Sequence, residues 1–176
     1  MPSPIPLTRA WCLFEIYATV ATETPLTVQM PPAEATAFER ALVRDFDSII
    51  KVVCAVDVEK AEAHDPADRD NIFGAVRGTC GFHALNVAAA GGLRGALALA
   101  GAQVLEERNA AGDEALGLAH QLAWLYKDQG KLDEAKAMYE RALAGKERAL
   151  GADHPSTLNA LNNLAVCLRK AGETER

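Results

Sequence analysis

Few residues in this chain have the type and spacing to do chemistry. Glu15 stands alone as an acid among Ala10-Trp11-Cys12-Leu13-Phe14 and Ile16-Tyr17. The three serines, Ser3, Ser48 and Ser156, sit in no nucleophile elbow. His64, His83, His120 and His154 have no spacing that suggests a triad or a metal site. Cys12, Cys54, Cys80 and Cys167 are scattered without a CxxC pair or a flanking histidine, so neither a zinc nor a disulfide framework is expected. Such cysteines act as small buried hydrophobes in a reducing compartment.

Two local patterns invite a binding role and fail on detail. Asp57–Asp70 holds six acids, Asp57, Glu59, Glu62, Asp65, Asp68 and Asp70, against Lys60 and Arg69. Asp68-Arg69-Asp70-Asn71 lacks the later oxygen ligands and terminal glutamate of a calcium loop. Asp65-Pro66 reads instead as an N-cap and first residue of a helix continuing through Ile72, Phe73 and Val76. Gly91-Gly92-Leu93-Arg94-Gly95 lacks the Lys-Ser/Thr ending of a phosphate loop, and no clear strand precedes it. These glycines fit close packing of Ala- and Leu-rich helices, with 82–107 forming one broken helix or two. Arg94 divides the two longest uncharged stretches, and neither alone is long enough to span a bilayer.

The net charge of −6 is uneven. Residues 1–112 hold 14 acids and 9 bases, and residues 113–176 hold 10 and 9. No basic stripe exists for nucleic acid. Met1-Pro2-Ser3-Pro4-Ile5-Pro6 has neither the basic start nor the apolar run of a signal peptide. A cytoplasmic protein with no cofactor, metal, nucleic-acid or membrane partner is the expectation.

The early elements are mixed. A helix is expected over Ala10–Tyr17, a short strand over Leu26–Met30, and a helix over Ala33–Asp45 with Phe38, Leu42 and Val43 on one face. The β-branched run Ile49-Ile50-Lys51-Val52-Val53 is ambiguous between strand and helix. Asn109–Gly112 marks the boundary before the most ordered part of the chain.

That part nearly repeats itself. Leu122-Ala123, followed by Gly130, returns as Leu164-Ala165, followed by Gly172, each offset being 42 residues. Leu118, Leu122, Leu125 and Tyr126 recur at helical spacing, as do Leu132, Ala135, Tyr139, Ala142 and Leu143. Gly130 supplies the left-handed cap where the chain reverses, and Pro155 fits a first helical turn. Helices are expected over 114–129, 132–149 and 156–171, with the helix ending near Glu107 packed against 116–127. A period of this length signals a helical-hairpin solenoid.

Gln129-Gly130-Lys131, Glu134-Ala135, Tyr139, Arg141-Ala142-Leu143, Leu150-Gly151, Asp153-His154-Pro155, Thr157 and Asn162-Asn163-Leu164-Ala165 resemble the tetratricopeptide repeat of kinesin light chains. The resemblance implies a scaffold that binds a protein or peptide rather than a catalyst. In that family the first helix of each hairpin lines a groove. Carried onto this sequence, the groove residues are His120, Trp124 and Lys127, then Asn162, Val166 and Arg169 one period later. Lys127 and Arg169 would favour an acidic peptide.

A shorter stretch, Thr8-Arg9-Ala10-Trp11-Cys12-Leu13-Phe14-Glu15-Ile16, resembles the Trp-Cys-x-x-Glu-Leu box of Toll/interleukin-receptor (TIR) domains. In members that cleave NAD, the glutamate matching Glu15 is catalytic; partly buried by Trp11 and Phe14, it would suit stabilising an oxocarbenium-like ribose. In those domains the box falls late in the sheet, whereas here it begins at residue 11, without the preceding strands.

The expectation is therefore a mainly α chain. An incomplete TIR-like α/β region (1–108) precedes one full repeat and the first helix of a second (109–176). The expected function is a scaffold binding a protein or peptide through the groove. The alternatives are an NAD-consuming effector using Glu15, or a non-functional fragment of a longer protein. Leu158, Leu161, Leu164, Ala165 and Leu168 form a stripe with no partner helix before Arg176, which predicts self-association.

Overall fold

The computed structural model describes residues 9–22, 24, 32–107 and 113–174. The expected strand at Leu26–Met30 and boundary at Asn109–Gly112 lie outside them. Among the described residues there are eight α-helices and no strand: α1 (Ala10–Ala21), α2 (Pro32–Arg44), α3 (Phe46–Cys54), α4 (Pro66–Gly78), α5 (Gly81–Glu107), α6 (Asp113–Asp128), α7 (Leu132–Leu150) and α8 (Pro155–Thr174). Among the described residues of 1–108 the regular structure is helical, which does not support the α/β character expected there. Ile49–Val53 lies inside α3, where Phe46 and Val53 are buried two helical turns apart.

The chain divides into two compact units, one of Met1–Val28 with Asp47–Ala96, the other of Gln29–Phe46 with Leu97–Arg176. This division does not coincide with a boundary at 108/109, because α2 and the end of α5 belong with the repeat.

In the first unit, Ala10 and Leu13 of α1 pack with Ile72, Phe73 and Val76 of α4, Leu85 of α5, and Val58 and Ala61 between helices. The acidic run is a structural joint. Asp65 Oδ1 accepts the Ala67 N–H at 2.8 Å, capping α4. Arg69 donates to the carbonyls of Ala61 (3.0 Å) and Glu59 (3.2 Å) and lies 4.3 Å over the Phe73 ring. Asn86 Oδ1 accepts from the Val58 N–H, tying this joint to α5. Lys60 pairs with Asp57 at 2.8 Å and holds its carboxyl below the ordinary range.

Gly91-Gly92-Leu93-Arg94-Gly95 lies within α5, so its backbone N–H groups belong to a helix rather than to a phosphate cradle. Arg94 does not divide the two apolar pieces. They join in one 27-residue helix, because the flanking alanines and leucines favour helix enough to carry the glycines through. Gly81–Glu106 is consequently long and apolar enough to cross a membrane by length and composition, although only a third (33%) of its most apolar window is buried within the protein.

In the second unit α6 is the central helix. Leu118, Ala119, Leu122, Ala123 and Leu125 are fully or almost fully buried. The end of α5 approaches closely through Gly101, where a Cβ would meet Leu122 Cδ2 at 2.7 Å. Arg141 of α7 donates to the Leu105 carbonyl at 3.4 Å. The helix before the repeat does pack against it, as the sequence requires. On α2, which contacts α6, Leu42 is buried while Phe38 and Val43 are half-buried.

Candidate functional site

The α6–α7 hairpin turns at Gly130, whose φ of +75° only glycine adopts without strain. Lys131 N–H donates to the Tyr126 carbonyl (2.9 Å) and Gly130 N–H to that of Lys127 (3.2 Å), the paired bonds of a Schellman cap. At the next joint Gly151 has φ +90°. His154 then caps α8: its Nδ1 accepts from the Ser156 N–H at 3.2 Å and its carbonyl from Thr157 and Leu158. The repeat joint thus explains His154 as a structural residue.

Period and burial together sort the faces of α6 and α8. Ala115, Leu118, Leu122 and Leu125 of α6 are buried, as are their equivalents Thr157, Ala160, Leu164 and Cys167 one period on. A second row on α6, Leu116, Ala119, Ala123 and Tyr126, is also buried. Its equivalents on α8 are exposed: Leu158 50%, Leu161 50%, Ala165, and Leu168 46%.

A third face carries the expected groove residues. Trp124 is 39% exposed, so it is a surface residue rather than core. Lys127 and Val166 are half-buried, and Asn162 and Arg169 are exposed. His120 is placed differently from the rest. Its ring lies edge-on to Tyr139 at 5.4 Å, and its Nε2 is 3.1 Å from Asn163 Nδ2. Asn163 Nδ2 also donates to Asn159 Oδ1 at 2.8 Å. The amide can donate to His120 only if the ring is neutral with its proton on Nδ1. Burial, with Lys146 and Lys127 nearby, lowers the His120 pKa and favours that form. His120 therefore joins α6, α7 and α8 and is only secondarily a surface group.

Asn163 and Asn159 were not singled out by spacing. Asn163 follows His120 by 43 residues, one more than the period, so comparing like positions passes over the pair. Behind it, Tyr139 is fully buried and its hydroxyl pKa is pushed up to about 12 by burial. Cys167, which contacts the Leu132 carbonyl at 3.7 Å, has its thiol pKa raised by the same cause. A buried neutral thiol is a poor nucleophile.

Glu15 offers less than the TIR resemblance implies. It is exposed on α1 beside Trp11, itself 45% exposed, while Phe14 packs towards the core. The apolar cover expected around the carboxylate is thus missing on the Trp11 side. Among the described residues no group of three or more His, Cys, Asp or Glu side chains could hold a metal ion.

Comparison with curated proteins and with solved structures gives no match. Residues 114–176, the stretch built from α6, α7 and α8, match the tetratricopeptide repeat family.

Proposed function

We propose that the repeat, of the kinesin light chain type, is a cytoplasmic docking scaffold for an extended acidic segment of a partner protein. The observation that carries this reading is Trp124, a large aromatic left 39% exposed on a helix whose two apolar rows are buried. Tetratricopeptide repeats generally mediate protein–protein interaction, and aromatic side chains in such positions supply much of an interface's energy. Electrostatics favour an acidic ligand despite the chain's net charge of −6. From Pro155 to Gly172 there is no acid, whereas Arg169 and Lys170 are both exposed. Asn162 can pair with a partner's backbone, and Val166 adds apolar contact beside it. The His120–Asn163 bond supports this surface by fixing α6 relative to α8.

The test uses a fluorescent Asp/Glu-rich peptide and the full chain, with binding read by anisotropy. Trp124→Ala is expected to weaken capture by about tenfold or more while leaving the melting curve in place. The double variant Asn162→Ala/Arg169→Ala should lose the peptide and stay folded. Equal binding by this variant and the natural sequence overturns the assignment.

A further inference from the structure

We propose that His120, Asn163 and Asn159 form a proton-operated relay, in which charging the imidazole reverses both amides and turns the group that α8 offers at Asn159 from a donor into an acceptor. Asn159 and Asn163 stand one helical turn apart on α8, so their side chains meet. His120 of α6 closes the chain of groups from the other side, with Nε2 3.1 Å from Asn163 Nδ2. Asn163 Nδ2 thus commits both of its N–H groups, one to His120 Nε2 and one to Asn159 Oδ1 at 2.8 Å. Asn159 is exposed, and with its oxygen held by Asn163 the group it offers to a partner is its amide nitrogen. That nitrogen is a donor, one turn from Asn162 on the same side of α8.

A proton changes this arrangement at one atom. In the neutral ring Nδ1 already carries a proton, and Nδ1 is buried, so it is the same N–H group in the charged ring. Charging therefore converts Nε2 alone, from an acceptor to a donor. Left in place, the Asn163 amide would then set N–H against N–H, two donors with nothing to accept. A half turn of that amide about χ2 removes the conflict, because its oxygen and nitrogen are nearly equal in size. Oδ1 then accepts from Nε2–H in a charge-assisted bond, roughly twice as strong as the neutral one it replaces. The second lone pair of Oδ1 faces Asn159, whose own amide turns over to donate to it. Both hydrogen bonds survive and no helix moves. The surface does change, since Asn159 now offers its oxygen. A partner's carbonyl or carboxylate that paired with the amide nitrogen meets another acceptor instead.

The neighbours of the ring leave the amides as the groups that respond. Lys127 of the same helix, Lys146 and Tyr139 of α7, and the Asn163 amide of α8 face His120. Neither lysine can accept a hydrogen bond from a charged imidazole, and Tyr139 meets it ring edge to ring at 5.4 Å. Burial and the two cations hold the His120 pKa below its ordinary value, so the reversal belongs to the acid side of about pH 6.5. The relay concerns only the polarity of the surface, and it does not depend on which ligand the repeat binds.

Solution NMR of the isotope-labelled full chain tests this, from about pH 7.5 down through the titration of His120. At the upper end the ring nitrogen shifts should place the proton on Nδ1, with nuclear Overhauser contacts from the Asn163 amide protons to the His120 ring. Those contacts should vanish as the ring charges, and the side-chain amide resonances of Asn159 should follow with the same midpoint. Asn163→Ala cuts the relay, so the Asn159 amide should no longer follow His120, while helical circular dichroism stays unchanged. Asn163→Asp has nearly the same shape but can only accept, and it should hold the Asn159 amide in its acid-side state at both ends of the titration. A proton on Nε2 at about pH 7.5, or Asn163 contacts that persist on the charged ring, overturns the proposal. So does an Asn159 amide that still follows His120 in Asn163→Ala, or one that keeps its neutral-side resonances in Asn163→Asp.

Discussion

Gly145 and Gly117 both lie within helices of the repeat, yet replacing them by alanine should act in opposite directions. Alanine favours helix over glycine by about 1 kcal/mol at either position. At Gly117 that gain is unopposed, since a Cβ would meet nothing within 4 Å, and Gly117→Ala should stabilise the protein by up to about 1 kcal/mol. At Gly145 a Cβ would fall against three atoms of Leu116, with Cγ at 2.9 Å, so turning the leucine's tip alone cannot clear it. Overpacking of this kind costs about 1–3 kcal/mol, which outweighs the propensity gain. Gly145→Ala should therefore lower stability, and the loss should shrink in the background of Leu116→Ala, a coupling that a double-mutant cycle in urea measures directly. Gly130 is different again. The space around it is open, but its φ of +75° penalises any Cβ, so Gly130→Ala should cost about 1 kcal/mol through the backbone alone.

Three helices meet at His120, and their joint stability should depend on its proton. Lys127 on its own helix and Lys146 on α7 both oppose its charge, Tyr139 of α7 covers its ring, and Asn163 of α8 donates to its Nε2. The folded pKa is lowered, with burial the first cause. The unfolded chain, with a histidine pKa near 6.5, therefore takes up the proton first as the pH falls. Stability from this group is complete above about pH 6.5 and is lost progressively below it, down to the folded pKa. Urea midpoints at about pH 7.5 and 5.5 should differ for the natural chain and differ less for His120→Gln, which holds no proton in that range. Asp57, whose pKa is lowered instead, should lose its contribution only near and below about pH 4, outside this window. How legible these elements were in the sequence follows from the range of the signal that specifies each. The helices of the repeat were readable because 3–4 apolar spacing, Gly130 and Pro155 act within one turn of chain. The run Ile49–Val53 was not, since β-branched residues over five positions fit a strand or the buried stripe of α3 equally well. Gly91–Gly95 suggested a break because glycine is unfavourable in isolation, whereas the long apolar context of α5 absorbed the cost. The proposed groove residues come from analogy with a repeat, not from any local spacing of their own. The His120–Asn163 bond depends on how neighbouring helices settle together, which no local spacing encodes.

At the scale of the whole chain, two resemblances compete for its function, and they make opposite demands on architecture. A docking surface needs only a stiff row of helices, and the second unit supplies one in α6, α7 and α8. Cleavage of NAD needs a carboxylate held against the ribose and further elements that seat the rest of the nucleotide, because positioning supplies up to about 7–11 kcal/mol of such a barrier. Glu15 is exposed on α1, and its neighbour Trp11 is also turned to solvent. No strand occurs among the described residues to form the sheet whose loops hold the nucleotide in TIR domains. Among the described residues, the isolated bridge between Arg9 and Glu62 joins one residue on each side, which fixes the start of α1 without building a sheet. Incubated with NAD, the chain should release no nicotinamide above the level of Glu15→Ala, measured by chromatography over hours. Release that disappears in Glu15→Ala would show that Glu15 acts without the sheet, and would make the box at residues 11–16 the functional centre of the molecule.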